Sequence, residues 1–112
     1  MYKEVLCKDG FTVSIQAHSR NYCTPRDDIG PYTEVELGFP SSSEHLIIRY
    51  AEEKSHPTDT VYGWVPVGLV KALLIKHGGV VEGTLPPFDF TSEQSAILAE
   101  ALCTIRDYKN VK

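Results

Sequence analysis

The residues with the clearest potential for chemistry lie close together in one irregular stretch of the sequence, residues 18–31. They are His18, Cys23, Arg26, Asp27 and Asp28. Neighbouring positive charge favours the thiolate form of a cysteine, and a histidine can act as its base. Because no oxyanion-hole or nucleophile-elbow motif accompanies them, a buried cysteine with aspartates in turns is the commoner explanation. A small Cys/His-dependent enzyme is kept as an alternative hypothesis.

A metal site is the second chemistry to consider. His18 and Cys23 lie in the first half of the irregular stretch, and His56 lies three residues before Asp59. Zinc requires three or four N, S or O donors, which structural sites usually draw from closely spaced Cys or His pairs. The sequence has no Cys-x-x-Cys and no His-x-x-x-His. We therefore expect no metal and no other cofactor, and a metal-dependent enzyme remains only within the alternative hypothesis.

Two carboxylates, Glu34 and Glu36, are predicted to share one face of a strand. Residues two apart on a strand are about 6–7 Å apart, a separation compatible with acid–base work on a sugar. Solvated glutamates on a sheet are far commoner, so no catalytic residue is assigned.

The strand that carries these glutamates, residues 32–39, has two very different faces. Side chains alternate across a strand, so the apolar set faces a core and the other set faces water. The predicted inward set is Thr33, Val35, Leu37 and Phe39, and the predicted outward set is Tyr32, Glu34 and Glu36.

A second strand, residues 60–66, places Tyr62 and Trp64 on the side opposite Val61 and Val65. If both strands share a sheet, aromatic rings lie beside carboxylates on an aromatic–acidic face, defined by Tyr32, Glu34, Glu36, Tyr62 and Trp64. Tyrosine and tryptophan are enriched at binding hot spots. Tryptophan is also usually mostly buried, so the sequence leaves open whether Tyr62 and Trp64 face solvent or the core.

The remaining patterns predict the elements that position these residues. Residues 2–7 and 11–17 form a hairpin around Asp9-Gly10, whose types suit a tight turn. A capping box from Ser41 to Glu44 predicts a short helix over 45–52, with a strand as the alternative.

Further along, a helix begins at Pro66 and ends at Gly78-Gly79, and a short strand follows over 80–82. A last helix covers about 92–109. Residues 1–112 are thus predicted to be a single α+β domain, a mixed or antiparallel sheet with helices on one face.

Composition narrows the function classes. The chain has 112 residues, 42% hydrophobic and 23% charged, with a formal net charge of −4. Without a basic run, direct nucleic-acid binding is not expected; Lys71, Lys76 and His77 form at most a local basic patch. No apolar run reaches the roughly 18–20 residues needed to cross a bilayer. Three widely spaced cysteines favour a reducing compartment, so we expect a cytoplasmic protein.

Three segments resemble small uncharacterised proteins of tailed phages and prophages. They are residues 22–40, YCTPRDDIGPYTEVELGFP, residues 57–66, PTDTVYGWVP, and residues 76–79, KHGG. The resemblance covers about residues 1–83 and transfers no catalytic motif. It implies an accessory protein that binds a host protein in the host cytoplasm, including inhibitors of CRISPR–Cas or other nuclease defences.

We therefore predict a non-enzymatic protein that works by protein–protein contact, with no membrane partner. Its predicted partner-binding residues are Tyr32, Glu34, Glu36, Tyr62 and Trp64, with Arg26, Asp27 and Asp28 at the rim. Carboxylates on such a face can mimic the phosphates that a basic nucleic-acid groove binds. A self-associating module, dimerising through the C-terminal helix, is the remaining alternative; truncation at Pro86 would then give a monomer.

Overall fold

The computed structural model describes residues 1–90, in which five strands form one antiparallel sheet. The strands are β1 (Val5–Cys7), β2 (Thr12–Gln16), β3 (Glu34–Gly38), β4 (Val61–Pro66) and β5 (Val80–Glu82). Their order across the sheet is β4-β3-β2-β1-β5. A 3-10 turn (Ile48–Tyr50) precedes β4, and helix α1 (Val67–Lys76) follows it directly. The predicted helix over 92–109, and Cys103 with it, lies outside the described residues.

The hairpin of β1 and β2 forms as the alternation of its side chains predicts. Val5 pairs with Val13 and Leu6 with Thr12 across the antiparallel register. Phe11, Val13, Ile15 and Ala17 are all buried. The next pairing, Ile15 with Leu37, places β3 beside β2. Local turn chemistry and a period of two were sufficient to specify this part of the sheet.

Helix α1 supplies the second layer of the core. Seven of its ten residues are buried, and six of these join one cluster with the inward side chains of the strands. Lys71 and Ile75 are the exposed positions of the helix. Gly78 and Gly79 follow its end with φ angles of 91° and 92°, where an L side chain would be strained. The predicted α+β class, in a single small domain, is confirmed.

The predicted helix over 45–52 is wrong in extent, since only one 3-10 turn forms there. The capping box is also wrong, because that turn receives no side-chain cap. The Glu44 carboxylate instead lies against the end of α1, where it accepts hydrogen bonds from Lys76 and His77. The Glu44 carboxylate, which local spacing predicted to cap a helix, thus forms a long-range ion pair instead.

Phe39 was predicted to face the core, and this is wrong. Strand β3 ends at Gly38, and Phe39 adopts a φ of 50°, so strand alternation no longer applies to it. Its side chain is 52% exposed.

None of the helical segments within the first 90 residues has the length and apolar character that crossing a bilayer requires.

Candidate functional site: an aromatic pocket on strand β4

The irregular stretch 18–31 folds over the outer face of β3, and the two glutamates of that strand hold it there. One carboxylate oxygen of Glu36 accepts the Tyr22 backbone N–H at 3.0 Å, and the other accepts the Asn21 amide at 3.2 Å. The Glu34 carboxylate accepts the Thr24 hydroxyl at 2.7 Å. Both glutamates are half-buried. The face predicted to be open is therefore partly covered, and its carboxylates already have partners within the chain.

The predicted rim residues organise the same loop. Asp27 accepts the backbone N–H groups of Ile29 and Gly30 at 3.0 and 2.9 Å. Asp28 accepts the Ser19 N–H at 2.8 Å, and that backbone bond is the main cause that lowers the pKa of the Asp28 carboxyl. The Arg26 guanidinium lies over the Tyr22 ring, 5.6 Å from its centroid. These contacts match the turn-forming explanation of the aspartates.

Tyr32 does not lie on the outer face, so its predicted orientation is wrong. It precedes β3 rather than belonging to it, and its side chain is fully buried. Its hydroxyl donates to the Asp27 carbonyl at 2.9 Å. Its backbone bonds to Pro87 and Asp89, so a later segment runs beside it. Alternation fails here because Tyr32 is held by the loop and not by a strand ladder.

Tyr62 and Trp64 point to opposite sides of β4, which corrects the prediction that they share a face. Val35 pairs with Val65 while Leu37 pairs with Tyr62, so β4 contains one extra residue against β3. Such a bulge shifts the alternation by one position. Tyr62 is consequently fully buried, whereas Trp64 is 46% exposed. Trp64 adopts a φ of 51°, which is unusual for a bulky residue.

The bulge and the loop together create a pocket of about 310 Å³ on the outer surface. We call this set the aromatic pocket; its lining residues are Tyr22, Tyr50, Glu52, Gly63 and Trp64. The Tyr22 and Trp64 rings stack with centroids 4.8 Å apart. The backbone N–H of Trp64 donates to the backbone carbonyl of Tyr22 at 3.0 Å, which connects the loop to the strand.

Glycine at position 63 leaves room for Tyr22, which packs directly on it. A Cβ atom there would lie 3.3 Å from the Tyr22 Cβ, which is tighter than ordinary contact. A side chain there would therefore require Tyr22, which stacks on Trp64, to move by a few tenths of an ångström. The pocket is therefore a product of one bulge, one glycine and one loop tyrosine.

The Cys23 geometry supports packing rather than nucleophilic chemistry. The thiol is buried and donates to the backbone carbonyls of His18 and Pro25 at 3.2 and 3.4 Å. Burial raises the pKa of the thiol, with smaller effects from neighbouring groups. The His18 ring accepts the Arg20 backbone N–H through Nδ1. Within residues 1–90, no three His, Cys, Asp or Glu side chains are grouped so as to hold a metal ion.

Of the five described residues that line the aromatic pocket, sequence reasoning missed four. Tyr22 lies in a stretch without periodicity, and Tyr50 lies within the segment that was predicted to be a short helix. Glu52 carried no motif. The Gly63-Trp64 pair was the one available signal, since an isolated glycine inside a strand pattern suggests a bulge or a close backbone approach.

No protein-family model, no curated protein and no solved structure matches this chain.

Proposed function

We propose that this protein acts without chemistry of its own, by binding a protein partner through the aromatic pocket. The observation that carries the proposal is the exposed Trp64 ring stacked on Tyr22 at the mouth of a cavity. Exposed tryptophan and tyrosine beside a concavity are typical of binding hot spots, because rigid rings bury much area at little entropic cost. Among the predicted partner-binding residues, Trp64 is the one that lines this cavity.

The backbone at Trp64 supports the same proposal. A left-handed conformation is costly for a residue with a side chain, by about 1–2 kcal/mol, and such strain clusters at functional sites. Glycine at position 64 would relieve it while losing the ring. The chain instead has a tryptophan there and presents it to solvent.

The sequence resemblance suggests the setting in which such binding would operate. We propose a phage-type accessory protein in the host cytoplasm, whose partner is a host protein. Inhibition of a host defence system, such as a CRISPR–Cas nuclease, is the first activity to examine. The acidic net charge of −4 is compatible with a basic partner surface.

Capture of partners from host lysate tests the proposal if three versions of the protein are compared. Trp64→Gly removes the ring at the pocket. Phe39→Gly is the matched control, because Phe39 is similarly exposed and has nearly the same φ angle but does not line the pocket. We expect one stoichiometric partner that is retained by Phe39→Gly and lost by Trp64→Gly.

The captured protein is then purified and titrated against the same three versions by calorimetry. A dissociation constant that Trp64→Gly weakens by at least about thirtyfold, the effect expected for a hot-spot residue, supports the proposal. Equal affinity of Trp64→Gly and Phe39→Gly contradicts it, provided that circular dichroism shows both variants folded.

A further inference from the structure

Within the described part of the chain, the lining of the aromatic pocket combines aromatic rings with one negatively charged side chain. Tyr22, Tyr50 and Trp64 supply the rings, and Glu52 supplies the carboxylate. Among residues 1–90, no lysine, arginine or histidine lines the cavity. The face of an aromatic ring carries partial negative charge, so each of these groups attracts a cation.

The position of Glu52 is set by the backbone and not by its side chain. Its N–H donates to the Val61 carbonyl at 2.9 Å, which places it beside β4 at the pocket. The side chain is exposed, and its carboxylate has no hydrogen bond or ion pair with any other residue in the range 1–90. Glu34 and Glu36 differ in this respect, because loop residues already occupy their carboxylates.

Two rings of the pocket already have guanidinium groups of this chain beside them. The Arg26 Cζ atom lies 5.6 Å from the Tyr22 centroid, and the Arg49 Cζ atom lies 5.3 Å from the Tyr50 centroid. Neither arginine lines the cavity. Trp64 is the strongest of the three rings for this type of contact, and its partner within the described residues is the neutral Tyr22 ring.

We infer that the aromatic pocket receives a cationic side chain of the partner, specifically an arginine guanidinium. This inference rests on the proposed protein-binding function and names the group that the partner contributes. The planar guanidinium stacks on an aromatic face, is more weakly hydrated than an ammonium, and forms a two-pronged bond with a carboxylate. Trp64 provides the face and Glu52 provides the carboxylate, in a cavity of about 310 Å³.

The test uses two small probes that have the same shape and differ in charge, N-acetyl-arginine amide and N-acetyl-citrulline amide. Trp64 is the only tryptophan of the chain, so its fluorescence reports on the pocket alone. At fixed ionic strength we expect saturable binding of the arginine probe, with a dissociation constant at least about fivefold below that of the citrulline probe.

Glu52→Gln removes the charge of the pocket and should reduce the arginine probe to the affinity of the citrulline probe. Glu53→Gln is the matched control. Glu53 is the next residue, is equally exposed and bonds to Ser55, but it does not line the pocket. It should leave the preference for the arginine probe unchanged.

Three results would overturn the inference: equal affinity for both probes, no saturable response to either probe up to its solubility, or an unchanged preference in Glu52→Gln. Failure of the proposed function looks different. A clear preference for the arginine probe, with no protein captured through Trp64, contradicts protein binding but leaves the guanidinium site intact. A partner lost in Trp64→Gly, with equal binding of both probes, contradicts the guanidinium site alone.

Discussion

The Nε2 atom of His77 lies 2.7 Å from the Oε2 atom of Glu44, although the two residues are 33 positions apart. The other ring nitrogen lies 2.7 Å from Asp9, and the ring stacks on Phe11 with centroids 3.9 Å apart. Each ring nitrogen of His77 therefore faces a carboxylate oxygen. Lys76 adds a bond of 2.9 Å to Glu44. This cluster joins the end of α1 to the β1–β2 turn and to the segment after β3.

Glu44→Gln should destabilise the protein strongly for its size. The Glu44 side chain is 4% exposed, and its replacement removes the buried carboxylate that both Lys76 and His77 contact. Removal of one member of such a group costs about 3–5 kcal/mol in the free energy of unfolding. Urea denaturation measures the change.

The matched control for that prediction is Glu82→Gln on the exposed strand β5, where a surface substitution should change stability by less than about 0.5 kcal/mol. If Glu44→Gln is no less stable than Glu82→Gln, the buried ion pairs contribute nothing to the fold.

Asp9 should make the stability of the protein sensitive to acid. The Phe11 backbone N–H, and next the His77 ring, hold the pKa of the Asp9 carboxyl below its ordinary value of 3.8. Because the pKa of Asp9 is lower in the folded state than in the unfolded state, ionised Asp9 stabilises the native state fully at pH values above the ordinary pKa of 3.8. The contribution is lost as the pH falls through the folded-state pKa.

Thermal denaturation of wild type and Asp9→Asn, followed from about pH 5 to about pH 2, measures this effect. The Asn variant keeps an oxygen for the Phe11 N–H but does not titrate. We expect a shallower decline of its melting temperature with acidification. Asp28 and Glu53, whose carboxyl pKa values are also lowered, keep part of the decline in both proteins. Parallel profiles would contradict the assigned role of Asp9.

The φ of 51° at Trp64 predicts that a glycine variant is more stable than an alanine variant, the reverse of the usual order. Glycine adopts this conformation without strain, whereas alanine does not. Trp64→Gly should therefore be more stable than Trp64→Ala by about 1 kcal/mol, measured by urea denaturation.

Val81 on β5 is the control for that order, because it is exposed and has an ordinary strand conformation. There the alanine variant should be the more stable one, by about 0.5–1 kcal/mol. Greater stability of Trp64→Ala than of Trp64→Gly would mean that the bulge relaxes when the ring is removed.

Cys23 should react slowly with thiol reagents in the folded protein. The thiolate is the reactive form, and burial raises the pKa of this thiol. Iodoacetamide labelling, resolved by peptide mass spectrometry, should modify Cys23 in the folded protein no faster than the buried Cys7. Rapid modification of Cys23 should occur only in urea. His18→Asn should leave the rate unchanged, since the thiol bonds to the His18 carbonyl and not to its ring. Fast labelling of Cys23 that depends on His18 would contradict this prediction and support the hypothesis of a Cys/His-dependent enzyme.

Much of the sheet was predictable because its signals are local. The hairpin of β1 and β2, the inward Val35 and Leu37 of β3, and helix α1 between Pro66 and Gly78 all follow from periodicity and turn chemistry. The same signals failed at Tyr32, Phe39 and Tyr62. The first two lie just outside β3, and the third lies beside a bulge, so none of the three obeys the alternation that was used to place it.

The candidate site followed the same division. The sequence alone singled out Trp64 as a candidate for contact, and composition disfavoured a nucleic-acid surface. The sequence did not predict that Tyr22, Tyr50 and Glu52 would lie beside the Trp64 ring. It also did not predict the contact between Glu44 and His77, which are 33 positions apart. Local chemistry acts within a few residues and determines strands, turns and helix ends. The pocket and the ion-pair cluster depend on one extra residue in a ladder and on where a loop folds, which only the packing of distant segments decides.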